Sequence, residues 1–224
     1  MEGSQLTSNS QALLGNQFAP TTYRIGFLET SQKRFLDSMI EWFESRSLVP
    51  VVNSFKGDLE ELLPHIQPLK MPPSRFLILS TKSEWSAYLD NGSTGTDPIS
   101  TVGYVSRTLK CRGLAVSCIP NTFDKKIGCG TYGSTKFELF ADGPREFLNY
   151  ERSIAATNDG GKWVFVETGA KQDYEETERY RLRRIVDRFT PGMLGRYCTA
   201  MGIQLFDNEF YGPNASLLTI GATH

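Results

Sequence analysis

Residues 150–169 read YERSIAATNDGGKWVFVETG, and this stretch predicts a β-hairpin. Strands over residues 150–157 and 162–168 flank a turn at 158–161, where Asn, Asp and Gly tolerate positive φ angles. Apolar side chains fall on both faces of residues 163–166, which favours a central strand. The stretch therefore predicts an antiparallel sheet with the second arm of this hairpin in its interior.

Further strands are predicted on both sides of the hairpin. Each is a short apolar run bounded by turn-forming residues, too short for a typical buried helix. These runs lie at residues 23–28, 75–80, 84–89, 114–119 and 137–141, with a late edge strand at 216–220.

Helices are predicted where a start signal precedes apolar residues at helical spacing. A helix containing residues 35–43 begins at Thr30 or Ser31, and a second, short helix begins at Asp58. The Asp-Pro pair at 97–98 begins a third, because Asp accepts hydrogen bonds from unpaired N–H groups and Pro suits the first helical position.

A pair of helices is predicted near the C-terminus. The first spans residues 174–188 and has an acidic first half and a basic second half, which matches the helix dipole. Thr190 begins the second helix, which ends at Gly202.

Together these elements predict the fold class and the extent of the domain. Strands and helices alternate irregularly, which predicts one α+β domain over residues 21–224 with a mixed, mostly antiparallel sheet. Residues 1–20 are rich in Ser, Gln and Asn and predict a disordered polar tail.

The composition removes several classes of function. In 224 residues, 24 Lys and Arg face 25 Asp and Glu, so the net charge is −1, which argues against a strongly basic nucleic-acid binder. The only histidines are His65 and His224, which removes most histidine-based catalysis and histidine-rich metal sites.

The cysteines and the apolar segments indicate the compartment. Cys111, Cys118, Cys129 and Cys198 form no C-x-x-C pair, which predicts free thiols in a reducing environment and no zinc site. The sequence shows neither the apolar core of a signal peptide nor the ~20 apolar residues that cross a bilayer. We therefore expect a cytoplasmic protein with no membrane segment.

One stretch matches a phosphate-binding motif in its glycine spacing. Gly128, Gly130, Gly133 and Lys136 follow the pattern G-x-G-x-x-G with a nearby lysine. A dinucleotide site requires a helix directly after the glycines, whereas here a strand is predicted to follow. The interpretation we favour is a turn between strands rather than a phosphate site.

Two surfaces are candidates for binding a partner. Arg179, Arg183, Arg184 and Arg188 could recognise an acidic partner, although a charge run of this kind is usually a solvated helix face. In the loop after the helix pair, Asp207, Glu209 and Tyr211 could form a recognition patch in which acids steer a basic partner and the aromatic ring anchors it.

A set of residues in the last quarter of the chain carries a resemblance. The set comprises residues 160–165, Gly169, Glu175, Tyr180, residues 187–190, Leu194, Tyr197, Gly202, Phe210 and Tyr211. Their pattern resembles one found among uncharacterised bacterial proteins, some of which are similar to immunity proteins of polymorphic-toxin systems. The resemblance implies a toxin as the partner and brings no catalytic residues with it.

These observations predict a non-catalytic protein-binding module, with a bacterial toxin-neutralising immunity protein as its specific form. Such a protein acts by steric and electrostatic complementarity and needs no cofactor or metal. The alternative is an enzyme that uses carboxylates, or a binding domain for a phosphorylated small molecule. A deep pocket containing two acids, or Arg side chains converging near residues 128–136, would favour that alternative. Single-stranded nucleic-acid binding is a third, less supported hypothesis. The sequence does not indicate the oligomeric state.

Overall fold

Nine strands within the described residues form one sheet. The computed structural model describes residues 12–143 and 149–221. The strands are β1 (Arg24–Leu28), β2 (Val51–Lys56), β3 (Ser74–Thr81), β4 (Ser86–Asp90), β5 (Gly113–Ile119), β6 (Ser134–Phe140), β7 (Tyr150–Asp159), β8 (Lys162–Gly169) and β9 (Tyr211–Ile220). Their order is β2-β9-β3-β4-β1-β5-β6-β7-β8, and all eight neighbouring pairs are antiparallel. The sheet is therefore antiparallel throughout these strands and not mixed.

Helices cover both faces of this sheet, so the α+β prediction is confirmed. They are α1 (Gln32–Glu44), α2 (Leu59–Leu62), α3 (Pro98–Leu109) and α4 (Pro191–Ala200). Helices α1 and α3 pack mainly on strands β1, β3, β4, β5 and β9 and bury one apolar cluster, which includes Phe35, Met39 and Val102. Helices α2 and α4 lie on the opposite face over a larger cluster, which includes Leu62, Phe137 and Tyr197. We name the two sides the α1/α3 face and the α2/α4 face.

The predicted helix starts are confirmed at three positions by their hydrogen bonds. The Ser31 side chain accepts from the N–H of Arg34 at the start of α1. Asp58 caps α2 in a reciprocal arrangement, since Glu61 bonds back to the Asp58 N–H at 3.1 Å. The Thr190 side chain accepts from the N–H of Met193 at the start of α4. These caps satisfy N–H groups that have no partner within the helix.

The predicted C-terminal helix pair is wrong in its first member. Residues 174–188 form two short 3-10 turns, Thr177–Arg181 and Ile185–Asp187, and not a continuous helix. The backbone is extended at Leu182 (ψ 144°) and Arg184 (ψ 113°), which ends helical hydrogen bonding. Long-range hydrogen bonds of residues within this segment hold it in that path, as described below.

The sheet order corrects two strand predictions and adds one strand. β8 is an edge strand, although its apolar residues on both faces predicted a central one. β9 was predicted as a late edge strand but lies between β2 and β3. β2 was not predicted from the sequence and forms the opposite edge.

The predicted polar tail is partly folded. Its residues 12–20 include the 3-10 helix Leu13–Asn16, in which Leu13 is buried in the core cluster of the α2/α4 face. Residues 1–11 lie outside the described residues. Across the described part of the chain, no helix combines the length and apolar character that a bilayer crossing requires.

Candidate functional site

A cleft opens on the α1/α3 face at one end of strands β5, β6 and β7. It has a volume of about 380 Å³ and its walls come from β1, β5, β6, β7, β8 and the 120–133 loop. The four side chains that define its chemistry are Arg24, Ser117, Ser134 and Lys136. We refer to this feature as the cleft.

Strand register brings these four side chains together. Arg24 of β1 is paired with Ser117 of β5, and Ser117 is paired in turn with Lys136 of β6. Ser134 lies two residues before Lys136, so its side chain points to the same face of the sheet. Three adjacent strands therefore place two hydroxyls and two cations within one small area.

The two serines of the cleft are buried and lack hydrogen bonds. Ser117 is 4% exposed and Ser134 is 8% exposed. Neither hydroxyl has a hydrogen-bond partner among the described residues. Buried polar groups in proteins are nearly always hydrogen-bonded, so these two neighbouring hydroxyls are exceptions, as are the side chains of Thr21, Thr22, Ser38 and Arg179 among the described residues.

The glycine motif lies beside the cleft as a hairpin loop between β5 and β6. Gly128 N–H donates to the Asp124 carbonyl, and Gly133 N–H donates to the Asn121 side chain at 2.9 Å. Gly130 has φ +110°, and a side chain there would come within 2.5 Å of a backbone oxygen. The loop thus uses these glycines to fold on itself, while Gly133 and Lys136 line the cleft.

The four predicted binding arginines lie in the segment of 3-10 turns. Arg183 and Arg184 are exposed, and Arg184 pairs with Asp187 at 3.8 Å. Arg188 donates to the Leu182 carbonyl and stacks over the Phe165 ring. Arg179 is half-buried. The four side chains therefore do not share one helix face.

The predicted acidic patch is divided between surface and core. Asp207 accepts from the N–H of Glu209 and caps a 3-10 turn, while Glu209 is exposed and 3.5 Å from Lys82. Tyr211 is only 3% exposed, and its hydroxyl donates to the Leu205 carbonyl at 2.8 Å. No ion pair joins these acids to the predicted arginines within the described ranges 12–143 and 149–221.

A buried ion-pair network lies on the α2/α4 face and was not predicted. The Arg152 side chain, 1% exposed, donates to both carboxylate oxygens of Glu175, whose side chain is fully buried, at 2.8 and 2.6 Å. It also bonds Glu167 and the carbonyls of Thr168 and Gly169. Burial alone would lower the pKa of Arg152, but hydrogen bonds and charges from Glu175 and Glu167 outweigh it and raise the pKa.

Two tyrosines extend this network to α4. The Tyr180 hydroxyl donates to Glu175 at 2.9 Å and lies 3.0 Å from the Tyr197 hydroxyl. The Tyr197 hydroxyl also accepts from the Glu176 N–H at 2.7 Å. Burial, followed by the contact with Tyr197, raises the pKa of Tyr180. Each of these side chains has a hydrogen-bond partner among the described residues, so the network links residues 174–188 to the sheet and to α4.

Within residues 12–143 and 149–221, the cysteines and His65 are not part of the cleft lining. Among the described residues, none of the four cysteines forms a disulfide, and burial raises the pKa of Cys111 and of Cys118 to about 11, which keeps both protonated at neutral pH. His65 stacks on Phe55 with ring centroids 3.6 Å apart. In the residues that the structure describes, no group of three His, Cys, Asp or Glu side chains could hold a metal ion.

A second surface feature lies at the β2 edge, which we define as residues 48–56. Nine large apolar side chains are exposed in the described chain, and four of them lie here: Leu48 (38%), Val49 (80%), Val51 (38%) and Val52 (37%). Val164 and Val166 of β8 are also exposed, and they lie on the α1/α3 face beyond the helices. Exposed apolar residues are thus concentrated at the two ends of the sheet.

Comparisons with protein-family models, with curated proteins and with solved structures each find no match to this chain. The interpretation of function therefore depends on the geometry of the cleft and of the β2 edge.

Proposed function

We propose that the protein is a protein-binding module whose partner adds an extended strand to the β2 edge. The observation that carries this proposal is the run of exposed apolar side chains at Leu48, Val49, Val51 and Val52. Clustered exposed apolar residues mark interaction sites, whereas single ones do not, and here the cluster lies along one edge strand with side chains on both faces.

The edge supplies both hydrogen bonds and apolar contacts. β2 pairs only with β9 among the described strands, so its outer backbone N–H and C=O groups are available. Val52 pairs with Leu218 on the α1/α3 face, whereas Val51 pairs with Thr219 and points to the other face. An added strand would therefore bury apolar surface on both faces at once, as in strand-addition complexes.

The chemistry of the edge selects an apolar, extended partner segment. β2 carries no acidic residue, and it ends at the exposed Lys56. A partner strand with alternating apolar residues and an acid near one end fits this surface. The resemblance in the last quarter of the chain favours a toxin as that partner, which an immunity protein would neutralise by covering its surface.

The test uses the product of the adjacent upstream gene as the partner. We expect co-purification with this chain and rescue of cells from that product's toxicity. Val52→Lys should weaken the complex at least about tenfold, because the partner would have to bury a charge. Ile127→Lys is the control, since Ile127 is also an exposed apolar residue, at 73% against 37% for Val52, but lies in the 120–133 loop.

Hydrogen exchange of the complex locates the contact. We expect slower exchange for amides of residues 49–56 and no change in the 120–133 loop. If the chain neither binds that product nor rescues cells from it, the immunity proposal is wrong. Protection of residues 49–56 in a concentrated sample of the chain alone would instead show that a second copy occupies the edge.

A further inference from the structure

We propose that the cleft binds the phosphate group of a small phosphorylated molecule, held by Ser117, Ser134, Lys136 and Arg24. This site is at the opposite end of the sheet from the β2 edge and does not depend on the protein-binding function.

The first evidence for this site is that the hydroxyls of Ser117 and Ser134 lack hydrogen bonds within the described chain. Both residues are more than nine-tenths buried, line the cleft and have no hydrogen-bond partner among the described residues. A buried polar group without a partner destabilises the protein, so the arrangement is best explained by a ligand that completes the two bonds.

The charges beside these hydroxyls define the sign of the ligand. Lys136 makes no ion pair or hydrogen bond with any described residue, although it lies half-buried in the wall of the cleft. Arg24 uses one N–H to bond the Thr94 carbonyl at 3.2 Å and keeps other donors in its guanidinium. Two cations and two hydroxyls match a phosphate monoester, which offers three strong acceptor oxygens.

Acidic groups near the cleft limit where the phosphate can lie. Asp159 lines the cleft at the end of β7, and Glu138 follows Lys136 on the same face of β6. Burial raises the pKa of Glu138, while the charge of Lys136 acts in the opposite direction. The phosphate is therefore expected deep in the cleft between Ser117, Ser134 and Lys136, away from the Asp159 carboxylate.

The rest of the cleft fits the body of the ligand. Ile119 and Val164 give apolar walls, and the Tyr132 ring, stacked on Phe123 with centroids 4.4 Å apart, closes one side. A volume of about 380 Å³ is within the range of small-molecule sites and exceeds the volume of phosphate alone. The ligand class is therefore a phosphate monoester with an apolar or aromatic portion.

The test is calorimetric titration of the full chain at low ionic strength. The probes are adenosine monophosphate, ribose 5-phosphate and inorganic phosphate, with adenosine and ribose as unphosphorylated counterparts. We expect the phosphate monoesters to bind, adenosine monophosphate most tightly, and the unphosphorylated compounds not to bind. Backbone amide NMR shifts should locate binding at Ser117 and Ser134.

Variants separate the cleft from general attraction of anions. Lys136→Met should weaken binding about tenfold or more, and Ser117→Ala or Ser134→Ala should do the same. Lys126→Met is the matched control, because Lys126 lies exposed in the 120–133 loop and does not line the cleft, so binding should change less than about twofold.

Two results would overturn the proposal: no probe binds, or binding is unchanged in Lys136→Met and Ser117→Ala. If inorganic phosphate binds as tightly as the two esters, the phosphate contacts stand but the assignment of Ile119, Val164 and Tyr132 to the ligand's body is wrong.

Discussion

The strands β5 to β8 carry two groups of buried polar side chains, one on each face, and the two differ in how completely they are bonded. On the α2/α4 face, Arg152 is paired with Glu175 and Glu167, and Tyr180 and Tyr197 complete the network. On the α1/α3 face, the Ser117 and Ser134 hydroxyls have no partner within the described chain.

This difference separates a structural role from a binding role. A complete network has no donor or acceptor left for a ligand, and removing one member leaves the others buried without a partner. A group of polar side chains that is not fully hydrogen-bonded keeps donors that a ligand from solution can use. The Arg152 network should therefore determine stability, whereas the cleft should determine affinity for a ligand.

The largest expected effect follows from breaking the complete network with Arg152→Met. The Glu175 carboxylate, which is fully buried, would lose its cation, and we expect the free energy of unfolding to fall by about 3–5 kcal/mol. Urea denaturation measures this loss. Adding Glu175→Gln to the variant should restore part of it, because no uncompensated charge then remains buried.

Arg112→Met is the control for this prediction. Arg112 also makes two hydrogen bonds to one carboxylate, that of Glu29, but the two side chains are 41% and 33% exposed. Its loss should cost about 1 kcal/mol or less. Equal losses for Arg112→Met and Arg152→Met would contradict the view that burial gives the Arg152 network its importance.

The sequence predicted the locally determined parts of the fold. Caps at Ser31, Asp58 and Thr190 depend on hydrogen bonds between residues three apart, and these were correct. The order of the strands was not predictable, because β2 pairs with β9 at the far end of the chain. β9 also contains Gly212 and Pro213, which are uncommon inside strands and obscured its length.

Tertiary contacts also overrode local pattern at the sites. Residues 174–188 have helical periodicity, but in the structure they form 3-10 turns in which Glu175 bonds Arg152 and Tyr180 bonds Glu175. Lys136 follows a glycine motif in the sequence, and the register between β5 and β6 places it in the cleft. Side chains of a strand alternate between its two faces, so Ser134 and Lys136 are expected on the same face from the sequence alone. Ser117 joins them only through the register between β5 and β6.

A smaller effect compares buried serines with and without a partner. Ser86 is 1% exposed and donates to the Thr30 carbonyl at 2.6 Å, so Ser86→Ala should lower the free energy of unfolding by about 1–2 kcal/mol. Ser117→Ala and Ser134→Ala, measured without ligand, should leave it unchanged or raise it by about 0.5 kcal/mol, because an unbonded hydroxyl is removed.

Thermal and urea unfolding of the three serine variants measure this contrast. The substitution is the same in each, and all three serines lie on strands and point to the α1/α3 face. Losses in Ser117→Ala and Ser134→Ala as large as in Ser86→Ala would show that the cleft hydroxyls are already bonded without a ligand. The cleft would then resemble the Arg152 network, and the contrast between the faces would fail.

The smallest effect concerns pH and one glutamate on each face. Arg152 outweighs burial and lowers the pKa of Glu167 below its ordinary 4.5, whereas burial raises the pKa of Glu138 above that value. The Glu167 contribution to stability is present above pH 4.5 and is lost as pH falls through its folded pKa, since the unfolded chain binds the proton more readily. For Glu138 the sign is opposite: the folded chain binds the proton more readily, so stability declines as pH rises from 4.5 through the folded pKa.

The stability difference between wild type and Glu167→Gln should therefore grow with pH, and that for Glu138→Gln should shrink. Urea titrations from acid to neutral pH measure how each of these stability differences changes with pH. Changes of the same sign would contradict the opposite pKa shifts of Glu167 and Glu138.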